Sequence, residues 1–150
     1  MTEAETRARI VEEARSWVGT PYHNMADIKG VGVDCGMLLV RVFVDLGLVE
    51  PFDPRPYTSD WMLHRSEEVF LTSLLDRATP VETPEEGDVI LFKYGRCYSH
   101  GAIVARAEPL TIIHAVLEYG RVVQEVVAPN RALVERMKTA NIASIARGRS

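Results

Sequence analysis

Apolar residues recur at helical spacing near the start of the chain. Ile10, Val11, Ala14, Trp17 and Val18 fall three and four positions apart, behind Thr2 and Glu5, which have the spacing of a capping box. The pattern predicts a first helix that ends at Gly19. Gly19-Thr20-Pro21-Tyr22 reads as a loop, and the stretch to Gly30-Val31-Gly32 as irregular chain. The run from Cys35 to Leu46 is apolar except for Arg41 and Asp45, and its β-branched content makes a buried strand a competitor. Length and caps favour a helix, with Asp34 suited to the N-cap and Gly47 to the left-handed position after the C-cap. Such a helix would be central and covered on most sides.

A connector rich in proline, Glu50 to Pro56, precedes Ser59 to Leu75, which reads as one or two helices with Trp61, Leu63, Val69, Phe70, Leu74 and Leu75 inward. After Pro80 the texture changes to short β-rich runs: Asp88 to Lys93, Gly101 to Ala107, Thr111 to Val116 and Arg121 to Val127. Turns at Glu108-Pro109 and Tyr119-Gly120 suggest an antiparallel meander, and Asn141 to Ala146 adds a last strand. Helices first and strands second, without βαβ alternation, give an α+β domain. Its N-terminal helices would pack on one face of an antiparallel sheet of about five strands.

Composition bounds this picture. A chain of 150 residues supports one domain over 1–150, and 47% apolar with 25% charged residues is the balance of a packed globular protein. The net charge of −4 and the scattered Lys and Arg exclude a nucleic-acid surface. The first residues, with Glu3, Glu5, Glu12 and Glu13, form neither a signal peptide nor a membrane span, so the expected site of synthesis and folding is a cytoplasm. There Cys35 and Cys97 are expected as free thiols. No glycine-rich phosphate cradle occurs, and no cofactor is implied.

A thiol acts as a nucleophile through its thiolate, which a helix N-terminus stabilises, and Cys35 opens a helix. It also begins the stripe Cys35, Leu38, Leu39, Val42, Leu46, which should meet the sheet. Strand alternation puts His100 with Ala102 and Val104, and His114 with Ile112 and Val116, on faces with buried companions. A histidine set against the cysteine-led helix, with a second polar group orienting it, is the arrangement of a thiolate–imidazolium pair. That reading requires an odd hairpin loop. Three residues, Ala107-Glu108-Pro109, would set His114 opposite Ala102 and diagonal to His100, whereas a two-residue turn would separate the histidines onto opposite faces.

Plainer readings stand beside this one. A cysteine at a helix start can be a small buried hydrophobe, and a strand histidine a hydrogen-bonded core residue. Asp34 is a helix cap whose charge would oppose a thiolate, so it should point away from the sulfur. Cys97, His100 and His114 lack the paired spacing of a zinc site, so no metal is expected. His23 and His64 read as loop or surface residues.

Trp17, Gly19-Thr20-Pro21-Tyr22, Gly32-Val33-Asp34-Cys35, Pro84 to Gly87-Asp88, Ser99-His100-Gly101 and Ile113-His114 form an ordered series that spans nearly the whole chain. It resembles the NlpC family of cell-wall cysteine peptidases, and the form Val33-Asp34-Cys35-Gly36 resembles phage-tail members. The resemblance implies a circularly permuted papain-like fold and a Cys-His-His triad that cleaves peptidoglycan stem peptides, typically beside a D-amino acid. Carried over, Cys35 is the nucleophile, His100 the base, His114 the orienter, and Tyr22 a residue that positions the thiol or the oxyanion. Asp34, Gly36 and Ser99 flank these positions and complete the candidate substrate and oxyanion set. The backbone N–H of Cys35 would be one oxyanion donor, a role usually worth roughly 2.7–4 kcal/mol. The chain departs from the family where Gly36-Met37 replaces Ser-Gly, and where Gly101 follows His100 without an intervening valine. The implied partners are a peptidoglycan peptide and other phage tail proteins. The alternatives are an inactive tail-tip structural protein and an acyltransferase on the same fold.

Overall fold

The computed structural model describes residues 1–53, 76–94 and 97–147. The helices expected over 59–75, with their inward residues and His64, lie outside the described residues. Helix α1 spans Glu3–Arg15, and Thr2 caps it, its hydroxyl accepting from the Glu5 N–H at 3.1 Å. A cap of this kind contributes about 1 kcal/mol. The regular helix ends before Gly19. The N–H groups of Trp17 and Val18 bond to Ala14 and Arg15 in tighter turns, and Gly19 then takes a φ of 92°.

Strands β1 (Asp27–Ile28) and β2 (Gly32–Val33) form a small hairpin inside the stretch read as irregular. Helix α2 then runs Cys35–Asp45 with Asp34 as N-cap, and Gly47 adopts a φ of 74° beyond its end. Met37, Leu38, Leu39, Val40, Val42 and Phe43 are all buried, which accounts for a helix apolar on most sides.

The main sheet comprises β3 (Thr79–Pro80), β4 (Val89–Tyr94), β5 (Cys97–Arg106), β6 (Thr111–Val116), β7 (Arg121–Val126) and β8 (Asn141–Ser144). Among the described residues it has six strands in the order β3-β8-β4-β5-β6-β7, with every pairing antiparallel. A third helix, α3 (Arg131–Met137), was not anticipated. It has seven residues, too few to show a periodic stripe, and is started by Asn130, whose side chain accepts from the Leu133 N–H.

Both faces of the sheet are covered. Val89, Leu91, Ile103, Ala105, Ile113 and Ala115 join the core beneath α1 and α2, while Ile90, Phe92, Ala102, Val104 and Ile112 pack with Val127 and Leu133 of α3 on the other side. Strands buried on both faces read as continuous apolar runs rather than alternating ones, as these do. The chain has an α+β fold with its two N-terminal helices on one face and a short C-terminal helix on the other.

Two close approaches fix the first layer. A methyl group at Gly101 would collide with Leu39 Cδ1, so glycine lets α2 lie directly on β5. Gly87 has a φ of 83°, and a Cβ there would come within 3.2 Å of the Arg7 backbone. Beside it the buried Arg7 guanidinium binds Asp88 Oδ1 at 2.7 Å, the Glu86 carbonyl at 2.7 Å and Ser144 Oγ at 2.9 Å. The segment Pro84 to Asp88 thereby anchors α1 to the sheet.

Candidate active site

The positions of the histidines depend on register. Ile103 faces Ile113 and Val104 faces Ile112, and continuing this ladder sets Ala102 opposite His114 as the sequence reading required. The device differs from the one expected. Arg106 pairs with Thr111, leaving a four-residue connection, Ala107 to Leu110, which alone would put His100 and His114 on opposite faces. A β-bulge between Val104 and Arg106 restores the register by one residue. A second bulge lies beside His100, where Phe92 pairs with His100 but Lys93 pairs with Tyr98, so the backbone of Ser99 is left over.

The sequence reading set the histidines against α2, but they occupy the other face. Gly101 takes the α2 side, whereas His100 follows Ala102 and Val104, its ring centroid 5.8 Å from that of Phe92. His100 Nε2 and His114 Nδ1 are 2.9 Å apart, and His114 Nε2 is 2.7 Å from Glu125 Oε2. Asn130 donates from Nδ2 to Glu125 Oε1 at 3.2 Å while its own Oδ1 caps α3. The chain of contacts crosses β5, β6 and β7 diagonally, since His114 pairs with Val123 and Ile112 with Glu125.

Cys35 reaches the same cleft from α2. This cleft, of about 620 Å³, is lined by Tyr22, Asp34, Cys35, His100, His114 and Glu125, together with Tyr94, Arg136 and the β6–β7 turn residues Leu117, Glu118 and Tyr119. Cys35 is not in a disulfide and is only 8% exposed, at the first position of α2, where N–H groups have no partner one turn back within the helix. The Asp34 carboxylate serves local structure. Oδ1 accepts from the Met37 N–H at 2.9 Å and Oδ2 from the Met25 N–H at 2.7 Å, holding Met25 at a φ of 64° and ordering the loop that carries Tyr22 and Asn24 to the cleft. Gly36 sits in the first turn of α2 and does not line the cleft, and the Ser99 and Cys97 side chains lie outside the described residues. His23 is an exposed loop residue, as expected.

Burial governs the titration of the pair. An edge of His100 reaches the cleft, yet the rest of its ring is enclosed by protein, and burial, then the charge of His114, push it down to about 3. Burial also pushes His114 down, against the pull of the Glu125 carboxylate. Both rings are therefore neutral near pH 7. The Tyr94 phenol is held above its ordinary range by burial first, with Glu118 and a charged Cys35 adding to this and Arg136 opposing it. The Arg136 guanidinium lies 3.7 Å over the Tyr94 ring and donates to the Lys93 carbonyl at 2.9 Å, forming one wall of the cleft.

Chemically, the cleft brings a thiol at a helix N-terminus together with a neutral imidazole backed by a second imidazole and a carboxylate, the components of base-assisted thiol attack on an acyl group. Sequence reasoning missed Glu125, Asn130, Tyr94 and Arg136. Glu125 carried a signal: extending the register across the second hairpin places this carboxylate on the face of His114.

No protein-family model matches the chain, and no curated protein does. Among solved structures it is similar to one described as the crystal structure of the NlpC/p60 domain of peptidoglycan hydrolase SagA. The TM-score is 0.57 at 23% sequence identity, covering 92% of this chain and 97% of that one. The likeness establishes a papain-like NlpC/p60 fold.

Proposed function

We propose that the chain is a cysteine peptidase of the NlpC/p60 type that hydrolyses amide bonds in peptidoglycan stem peptides. The observation that carries this reading is the convergence, in one cleft, of Cys35 at the start of α2 with the His100–His114–Glu125 contacts. The similar solved structure, described as a domain of a peptidoglycan hydrolase, supports the substrate class.

In this mechanism His100 takes the thiol proton on Nδ1, the nitrogen that His114 does not engage. The thiolate adds to the scissile carbonyl, and the N–H of Cys35 donates to the oxyanion. The tetrahedral intermediate collapses with cleavage of the C–N bond, and the imidazolium protonates the departing amine. Water then gives one proton to His100 and attacks the thioester. The acid product leaves, and the proton returns to the sulfur. Tyr22 and the Tyr94–Arg136 wall flank the acyl peptide. The phage-tail setting is part of this proposal and rests on the Val33-Asp34-Cys35-Gly36 pattern alone.

The test is incubation of the reduced protein with defined stem peptides, followed by mass spectrometry, beside Cys35→Ala and Cys97→Ala. Cleavage is expected from the native protein and Cys97→Ala, with loss in Cys35→Ala on the order of 10⁴–10⁶-fold. If no peptide is cleaved but an amine acceptor is acylated from a thioester donor, the acyltransferase reading replaces this one. Silence in both assays, with a Cys35 that alkylates no faster than a free thiol, would leave the tail-tip structural reading.

A further inference from the structure

The contacts around His114 fix where protons must sit, given the partner at each end. A carboxylate only accepts, so the Glu125 Oε2 contact at 2.7 Å requires hydrogen on His114 Nε2. A neutral His114 then has a bare Nδ1, which at 2.9 Å must accept a hydrogen from His100 Nε2. A neutral His100 with hydrogen on Nε2 has a lone pair on Nδ1. The last nitrogen in the chain of contacts is thus unprotonated because the first group is a carboxylate.

We propose that Glu125 is a positioning residue that sets the proton register of both histidines, so that His100 presents an unprotonated Nδ1 to the Cys35 thiol. Asn130 makes this register directional. Its Oδ1 is committed to the Leu133 N–H, so its Nδ2 must meet Glu125, and this donor occupies Oε1 and leaves Oε2 for His114. The effect of Glu125 on His100 passes through the His114 ring, which meets both.

The amide of Glu125→Gln would be oriented by the same asparagine. Asn130 Nδ2 pairs with the new amide oxygen, which turns the amide NH₂ toward His114 Nε2. His114 must then carry its hydrogen on Nδ1, His100 must accept on Nε2, and His100 Nδ1 gains a hydrogen. In that register His100 cannot take the thiol proton. Reversal of a histidine tautomer by replacing its carboxylate with an amide lowers rates by about 10⁴ where it has been measured in serine proteases.

The proposal rests on the reading of Cys35 as the nucleophile, but its test needs no peptide substrate, so the two can fail separately. The ring nitrogens are assigned by ¹⁵N–¹H correlation spectroscopy at neutral pH, and Cys35 reactivity is read as the rate of alkylation by iodoacetamide. The native protein is expected to show hydrogen on Nε2 of both histidines. Glu125→Gln is expected to show it on Nδ1 of both, with alkylation slowed on the order of 10²-fold or more. Combining Glu125→Gln with Asn130→Ser keeps a cap for α3 but frees the glutamine amide to turn, which should restore the native tautomers and much of the reactivity. A merely structural role for Glu125 predicts no such rescue. Native His114 with hydrogen on Nδ1 would overturn the proposal even if neither variant folds, as would a folded Glu125→Gln with unchanged tautomers and alkylation rate.

Discussion

Among the described residues, two buried polar networks differ in how they end. Around Arg7 the network is closed: Asp88 is fully buried, its Oδ1 held by Arg7 and its Oδ2 by the Glu85 N–H, while Arg7 also binds Glu86, Ser144 and Glu3. Around His114 the network is held at the Glu125–Asn130 end and runs at the other to His100, which lines a cleft that also holds a thiol. The first sets its buried carboxylate, Asp88, directly against a cation. The second sets one carboxylate behind two neutral rings and can take up a proton. Burial of polar groups does not by itself mark function; a network that ends in a cleft beside a nucleophilic group does.

Removing a member of the closed network should produce the largest loss of stability. Arg7→Met leaves Asp88 buried without its cation, and breaking a buried pair in this way costs about 3–5 kcal/mol. Urea unfolding would register the loss as a lower midpoint. The alkylation rate of Cys35 in the folded variant should stay within twofold of native. A slowed thiol in Arg7→Met would break the comparison, because it would show that the closed network also tunes the site.

The caps belong to the part of the fold that was legible in the sequence, whereas the Arg7 network was not read there. Thr2, Asp34 and Gly47 act within a few residues of themselves, so their spacing carries the information, and both N-terminal helices follow from it. The cleft depends on longer-range facts. One extra residue at the Val104–Arg106 bulge decides whether His100 and His114 share a face, and nothing in Val-Ala-Arg announces a bulge. The sequence reading put both histidines on one shared face through a three-residue loop that the structure does not have. Glu125 was missed because its placement requires the register to be carried through two hairpins, and α3 because seven residues show no period. The histidines were set against α2 on the assumption that one face of the sheet is buried, whereas both are.

Gly101 connects the two regions, since it lets α2 lie on β5 one residue from His100. Gly101→Ala forces Leu39, itself only 2% exposed, out of its place, and overpacking of this kind costs about 1–3 kcal/mol. If α2 shifts to make room, Cys35 moves with it, and alkylation should slow several-fold. Calorimetry and alkylation of the same sample separate the outcomes. Lower stability with an unchanged thiol would mean that Leu39 alone yields and the helix stays in place.

The smallest expected effect is a pH slope, and it distinguishes the networks by sign and range. His100 and His114 are both depressed in the folded state, and for His100 the unfolded chain binds a proton between about 6.5 and about 3 that the folded one refuses. Stability is then full above the unfolded value near 6.5 and is lost as the pH falls towards the folded value. For one histidine the steepest slope is about 1.4 kcal/mol per pH unit. Arg7 behaves in the opposite sense. Burial disfavours its charge, but Asp88 and Glu3 outweigh burial and raise its value, so Arg7 stays charged across this range and its own titration would cost stability only in strong base. Urea unfolding at pH 7, 6, 5 and 4 should therefore give a falling series in the native protein and a shallower one in His100→Phe, which removes the more depressed ring. Equal slopes would mean that His100 takes up its proton in the folded state as readily as in the unfolded chain. A resting site with a charged His100 could not accept the Cys35 proton until that ring had first released its own.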